Sequence, residues 1–184
     1  MPRNIEIKAR ITSVDTLEPM AASLATQGPT EIVQDDTFFC CESGRLKLRT
    51  FSATEGELIF YQRANERGPK ESFYLRAPTS NPEVLREALS RAYGQAGRVV
   101  KRRTLYLVGR TRMHLDRVEG LGHFLELEVV LEESEPCESG AREAHALMDR
   151  LGIEPSDLIE TAYVDLLAQS AAPAHARLEV RSAE

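Results

Sequence analysis

The chain opens on strict alternation. Ile5 and Ile7 fall on one side of an extended segment and Asn4, Glu6 and Lys8 on the other, which predicts a strand over residues 4–11. Ser13 stands in an N-cap position ahead of Val14, Leu17, Ala21 and Leu24, whose helical spacing predicts a helix reaching about Gly28. From Ile32 to Arg76 the period returns to two. Segments Thr37–Cys41, Arg45–Phe51, Glu57–Arg63 and Glu71–Arg76 are separated by Gly, Ser or Pro, the pattern of successive antiparallel hairpins. Asn81-Pro82, a cap followed by a first-turn proline, starts a helix that carries Val84, Leu85, Ala88, Leu89 and Ala92 and stops at Gly94.

Three further strands are expected at Arg98–Val108, Thr111–Val118 and His123–Leu131, the last two joined at Gly120-Leu121-Gly122. Ser139–Leu151 has Ala144, Leu147, Met148 and Leu151 on one helical face with Gly152 as its stop, and Ser156 is expected to cap a last helix running to about Ala168. Neither a repeat nor a second core interrupts this order, so residues 1–169 read as one domain. Residues 170–184, rich in Ala and charge around Pro173, are expected as a mobile tail.

Composition narrows the function classes. Among 184 residues, 23 Lys and Arg against 29 Asp and Glu leave a net charge of −6, which argues against a general nucleic-acid or anionic-membrane binder. No apolar run is long enough to span a bilayer and the N-terminus has no signal-peptide core, so a cytoplasmic protein is expected. Cys40, Cys41 and Cys137 form no metal-site spacing and are expected as reduced thiols.

The charges that are present sit where strand faces are regular. Arg45, Lys47 and Arg49 share one face, as do Lys101 with Arg103, Arg112 with His114 and Asp116, Glu126 with Glu128, and Glu6 with Lys8. Each face alone is compatible with a solvated outer surface. A symmetric turn about Leu121, however, would set Asp116 opposite Glu126 and His114 opposite Glu128. Like charges in that arrangement cost about 0.2–1 kcal/mol unless a cation lies between them. Carboxylates suit hard divalent ions such as Mg²⁺ or Mn²⁺, whose shell substrate phosphates can complete, while Arg and Lys bind phosphate oxygens directly. No glycine-rich phosphate loop and no Ser-His-Asp arrangement competes.

Taken together, Asn4-Ile5-Glu6-Ile7-Lys8, Gly44-Arg45-Leu46-Lys47-Leu48-Arg49, Lys101-Arg102-Arg103, His114-Leu115-Asp116 and Gly120-Leu121-Gly122-His123-Phe124-Leu125-Glu126-Leu127-Glu128 resemble the CYTH, or triphosphate tunnel metalloenzyme, family over residues 4 to about 168. The resemblance implies an α+β fold: a closed eight-stranded antiparallel β-barrel with flanking helices. It implies Lys8, Arg45, Lys47, Arg49, Arg63, Lys101, Arg103 and Arg112 as phosphate-binding bases, and Glu6, Asp116, Glu126 and Glu128 as metal ligands for Mg²⁺ or Mn²⁺. Lys8, Arg49, Asp116 and Glu126 are the residues it makes catalytic. Asn4 occupies the place of the first acid of the family's Glu-x-Glu-x-Lys opening, where an amide oxygen offers a donor without charge.

The function expected from these residues is hydrolysis of a small-molecule or inorganic triphosphate such as tripolyphosphate, thiamine triphosphate or ATP. Adenylyl cyclisation of ATP is the second expectation and a non-catalytic polyphosphate- or nucleotide-binding module the third. No nucleic-acid or membrane partner is expected.

Overall fold

The computed structural model describes residues 3–63 and 68–171. In chain order it runs β1 (Arg3–Arg10), α1 (Val14–Leu24), β2 (Gln27–Phe39), β3 (Arg45–Ser52), β4 (Glu55–Arg63), β5 (Lys70–Thr79), α2 (Pro82–Tyr93), β6 (Gln95–Val108), β7 (Thr111–Val118), β8 (Gly122–Leu131), α3 (Cys137–Leu151) and α4 (Tyr163–Ala171). The strands close into a ring in the order β1-β5-β4-β3-β2-β6-β7-β8, with every neighbouring pair antiparallel. Closure leaves no sheet edge and gives every strand an inside and an outside.

The outer face of β1, β7 and β8 is the apolar one. Ile5, Ile7, Met113, Leu115, Leu125, Leu127 and Val129 are buried there beneath Ala144, Leu147, Met148 and Leu151 of α3 and Val14 and Ala21 of α1. A Cβ added at Gly140 of α3 would lie 2.7 Å from both Ile5 and Leu131, so a glycine lets this helix approach the sheet closely. A second cluster, Phe38, Val99, Val118 and Phe124 with Ala162, Tyr163 and Val164, closes one end of the ring where α4 lies. Among the described residues no helix is long and apolar enough to cross a membrane.

Several expected boundaries move, each for a tertiary reason. β2 begins at Gln27 and ends at Phe39, so Cys40 and Cys41 lie beyond it. Its first half, Gln27 to Asp35, shows little apolar alternation because it is held by pairing with β6 from Gln27↔Leu107 onward and has polar groups on both faces. The last helix begins at Tyr163, not at Ser156. Ile159 N donates to Lys8 O at 2.9 Å and Leu158 bridges to Ala9, so residues that could have continued a helical turn run extended beside β1. Residues 170 and 171 belong to α4, and 172–184 of the expected tail lie outside the described residues.

The β7–β8 hairpin corrects the expected register. Val118 pairs with Gly122, and Leu121 N bonds Val118 O at 3.1 Å, so the turn centres on Gly120 with its φ of 75° rather than on Leu121. The slip is two residues. It preserves which side chains face inward and changes which ones meet: Asp116 faces Phe124, His114 faces Glu126 and Arg112 faces Glu128. The directly opposed acids lie instead across β1 and β8, where Glu6 pairs with Glu128 and Lys8 with Glu126.

Candidate active site: a charged cavity inside the ring

The inward faces enclose a cavity of about 320 Å³. Because neighbouring strands are antiparallel, their inward positions can be followed in one direction from the α4 end. On β1 the order is Lys8, Glu6, Asn4; on β8 Phe124, Glu126, Glu128; on β7 Asp116, His114, Arg112. On β6 it is Val99, Lys101, Arg103, Leu105; on β2 Phe38, Asp36, Gln34, Ile32; on β3 Lys47, Arg49, Phe51. The period of two predicted from sequence is what collects these charges.

Lys8, Lys47, Arg49, Lys101, Arg103, Arg112, Glu6, Glu126 and Glu128 all line the cavity. Arg45, expected in the phosphate set, is not among the lining residues: its guanidinium is held by Asp165 and ties β3 to α4. The side chain of Arg63 lies outside the described residues. Arg76 lines the cavity and pairs with Glu57, Nε to Oε2, at 3.0 Å.

Two buried aspartates organise the cations. Asp116, 0% exposed, accepts from Lys101 Nζ at 2.9 Å, from Arg103 Nε and Nη2 at 2.6 Å each, and from Tyr163 OH at 3.1 Å. Asp36 accepts from Lys47 Nζ at 2.7 Å and from Arg49 Nε and Nη2 at 2.8 Å each. Both arginines are therefore gripped along the same edge, which leaves Nη1 as the nitrogen neither aspartate takes. Burial pushes both carboxyls up, and the adjacent cations overcome it and hold them well below the usual carboxylate range. Asp116, for which the resemblance implied a metal-ligand role, is thus enclosed by four side-chain hydrogen bonds, from Lys101, Arg103 and Tyr163. Sequence reasoning missed Asp36 altogether; the signal was its two-residue offset from Gln34 in a segment too polar to read as a strand.

Glu126 bridges the two sides. It meets Arg103 Nη2 and, through Oε1, Lys8 Nζ at 3.2 Å. Lys8 in turn lies 4.1 Å over the Tyr163 ring, and Lys101 lies 5.0 Å over the same ring. The ring packs on Phe124 with centroids 4.8 Å apart, and through Tyr163 helix α4 forms part of the cavity wall. Glu128 lies 3.3 Å from Arg112 Nη1 and 3.5 Å from His114 Nε2. Burial raises its carboxyl, but His114, Arg103 and Arg112 bring it down to about 2.

Lys47 carries a pH dependence. Burial first, then the charges of Arg49 and Lys101, lower its ammonium to about 7 against the upward pull of Asp36. Between about pH 7 and the ordinary lysine value near 10.5, the unfolded chain binds the extra proton, so this residue's contribution to stability grows as pH rises through that window. An anion in the cavity reverses the preference by favouring the protonated form. Affinity for tripolyphosphate is therefore expected to fall between pH 7 and 9, with binding at pH 8 accompanied by proton uptake, and Lys47→Met should flatten both. Calorimetry in buffers of different ionisation enthalpy measures the uptake; an unchanged slope in the variant would exclude Lys47 as its source.

The donor set for a cation is best tested on Asn4. Its Oδ1 is buried without a hydrogen-bond partner, two residues from Glu6 on the same inward face, and Glu6 stands opposite Glu128. Among the described residues no three His, Cys, Asp or Glu side chains converge on one point; Asn4, Glu6 and Glu128 are the oxygen donors that line this part of the cavity. Hard oxygens of this kind fit Mg²⁺ or Mn²⁺, particularly where phosphate supplies further ligands.

A closed antiparallel ring whose inner wall carries buried, mutually paired cations and acids defines a class of charged tunnel folds. The sequence matches the CYTH domain family over residues 2–163, and the chain belongs to that family. It is 25% identical over 177 residues to the adenylate cyclase CyaB of Aeromonas hydrophila, covering 90% of this chain and 89% of that protein. The PH1012 protein of Pyrococcus horikoshii OT3 shares the fold with a TM-score of 0.80 at 24% identity, over 89% of this chain and 99% of that one. The Hippeastrum protein HpAC1, for which a dominant triphosphatase activity is described, superposes with a TM-score of 0.65 at 15% identity, over 95% of this chain and 98% of that one.

Proposed function

We propose that the protein is a divalent-metal-dependent enzyme that binds a triphosphate in this cavity and hydrolyses it. The observation that carries the reading is the excess of cations at one end of the inner wall, five against the three acids Asp36, Asp116 and Glu126 that pair with them. Lys8, Lys47, Arg49, Lys101 and Arg103 gather toward the end closed by α4, and Asn4, Glu6 and Glu128 lie farther along. Five cations suit a chain of phosphates, and the arginine forks suit its paired oxygens.

Asp36 and Asp116 hold the cations before substrate arrives, so little reorganisation is needed when charge builds on the phosphoryl oxygens. Lys8 and Arg49 are assigned to that stabilisation, and Arg112 to the outer phosphate. Asn4, Glu6 and Glu128 would hold Mg²⁺ or Mn²⁺, with Glu126 one inward step away on β8. The ion, when bound, supplies charge neutralisation and an acidified water. Glu126, which accepts from Arg103, would orient a water against the phosphate chain.

Cyclisation of ATP is the second reading, favoured by the relative CyaB, whose name gives that activity. There a ribose hydroxyl takes the place of water, attacks the α-phosphorus, and pyrophosphate leaves. One product assay separates the readings: tripolyphosphate, thiamine triphosphate and ATP are each incubated with Mg²⁺, Mn²⁺ or EDTA. Metal-dependent release of orthophosphate is expected. Cyclic AMP with pyrophosphate in equal amount would establish the cyclase instead, and tight binding without turnover would leave a binding module.

A further inference from the structure

The cavity wall changes character at one level. On β6, β2 and β3, which are consecutive in the ring, the inward position after the last charged residue is neutral: Leu105 follows Arg103, Gln34 follows Asp36 and Phe51 follows Arg49. Ile32 is the next inward residue after Gln34, so on these three strands an apolar rim borders the phosphate-binding zone. Across the ring, at the same end, stand the polar Asn4, Glu6 and Glu128.

Gln34 sits on that boundary. It is 4% exposed, lines the cavity, and its Oε1 has no hydrogen-bond partner. A buried amide oxygen without a donor is unfavourable, and folded proteins rarely tolerate one without a reason. The phosphate chain cannot supply the donor, since ionised phosphate oxygens only accept. Nor can the cation site, because β2 is four strands from β1 in either direction around the ring. An O–H or N–H attached beside the phosphates can.

Building on the triphosphatase reading, we propose that Gln34 is a specificity residue that accepts a hydrogen bond from the organic part of the substrate, so that the natural ligand is an organic triphosphate and not inorganic tripolyphosphate. A sugar hydroxyl is the donor that lies nearest a phosphate chain. The ring system beyond it would lie along Ile32, Leu105 and Phe51.

The test compares ATP with tripolyphosphate on wild type and Gln34→Leu, by calorimetry in EDTA and by turnover in Mg²⁺. The variant is expected to weaken ATP about five- to tenfold and to leave tripolyphosphate within about twofold, as loss of one hydrogen bond to ligand predicts. Against the 2′- or 3′-deoxy analogue that lacks the bonded hydroxyl, the two proteins should then agree; a penalty that persists for both analogues assigns the donor to the base. Gln34→Met, which keeps the side-chain length, serves if leucine lowers the melting temperature. Equal losses for both ligands, or no loss for ATP, would overturn the assignment. Wild type that binds tripolyphosphate but not ATP overturns it alone, whereas wild type that binds neither overturns the triphosphatase reading as well.

Discussion

Asp116→Ala is expected to lower the unfolding free energy by about 3–5 kcal/mol, because it leaves Lys101 and Arg103 buried without their shared counter-charge. The Tyr163 hydroxyl loses its acceptor in the same change, which loosens α4 against the ring. Had Asp116 stood opposite Glu126, as hairpin symmetry suggested, removing one of two repelling acids would have raised stability. The two-residue slip of β7 against β8 reverses the sign. Urea unfolding measures it. Saturating tripolyphosphate should recover part of the loss, since the anion offers the two cations the negative charge the side chain no longer provides. A variant as stable as wild type would show that Asp116 does not hold the cluster.

The second large effect concerns the opposed acids. Glu6→Gln and Glu128→Gln are each expected to lower metal-dependent turnover at least about 100-fold, a barrier increase of about 2.7 kcal/mol. Tripolyphosphate binding in EDTA should stay within about threefold, because the amide keeps the shape of the acid and the five cations of the closed end are untouched. Asn4→Asp is expected to act in the opposite direction. It converts the buried, unpartnered amide oxygen into a charged ligand, so the Mg²⁺ concentration for half-maximal activity should fall. Metal titrations of the three variants check both signs; near-normal turnover in Glu6→Gln and Glu128→Gln would remove these acids from the metal site.

Much of this site could be read before folding. The inward set on β1, β3, β6, β7 and β8 follows from alternation alone, because a strand sends every second side chain to the same face whatever its partners are. The caps behaved likewise: Ser13 accepts from Asp15 N and Asn81 from Val84 N, as local hydrogen-bonding chemistry requires. β2 was legible only at its apolar end. Strand signals come from burying one apolar face, and Gln34 and Asp36 turn a polar face into the ring while Asp35 and Glu31 face out.

What the sequence by itself determined, then, was the strand period, most of the helix ends, and which charges share a face. Only the tertiary structure decided which of those charges meet. Register depends on turn geometry and on packing summed over a whole strand, and a shift of two residues leaves every face unchanged while exchanging every partner. That degree of freedom moved the opposed acids from β7–β8 to β1–β8, placed Asp116 among cations, and left Arg45 to α4. Ring closure decided the rest: it set β2 across from β1, with Gln34 facing the neutral side of the cavity, a relation between residues far apart in the chain that no local pattern encodes.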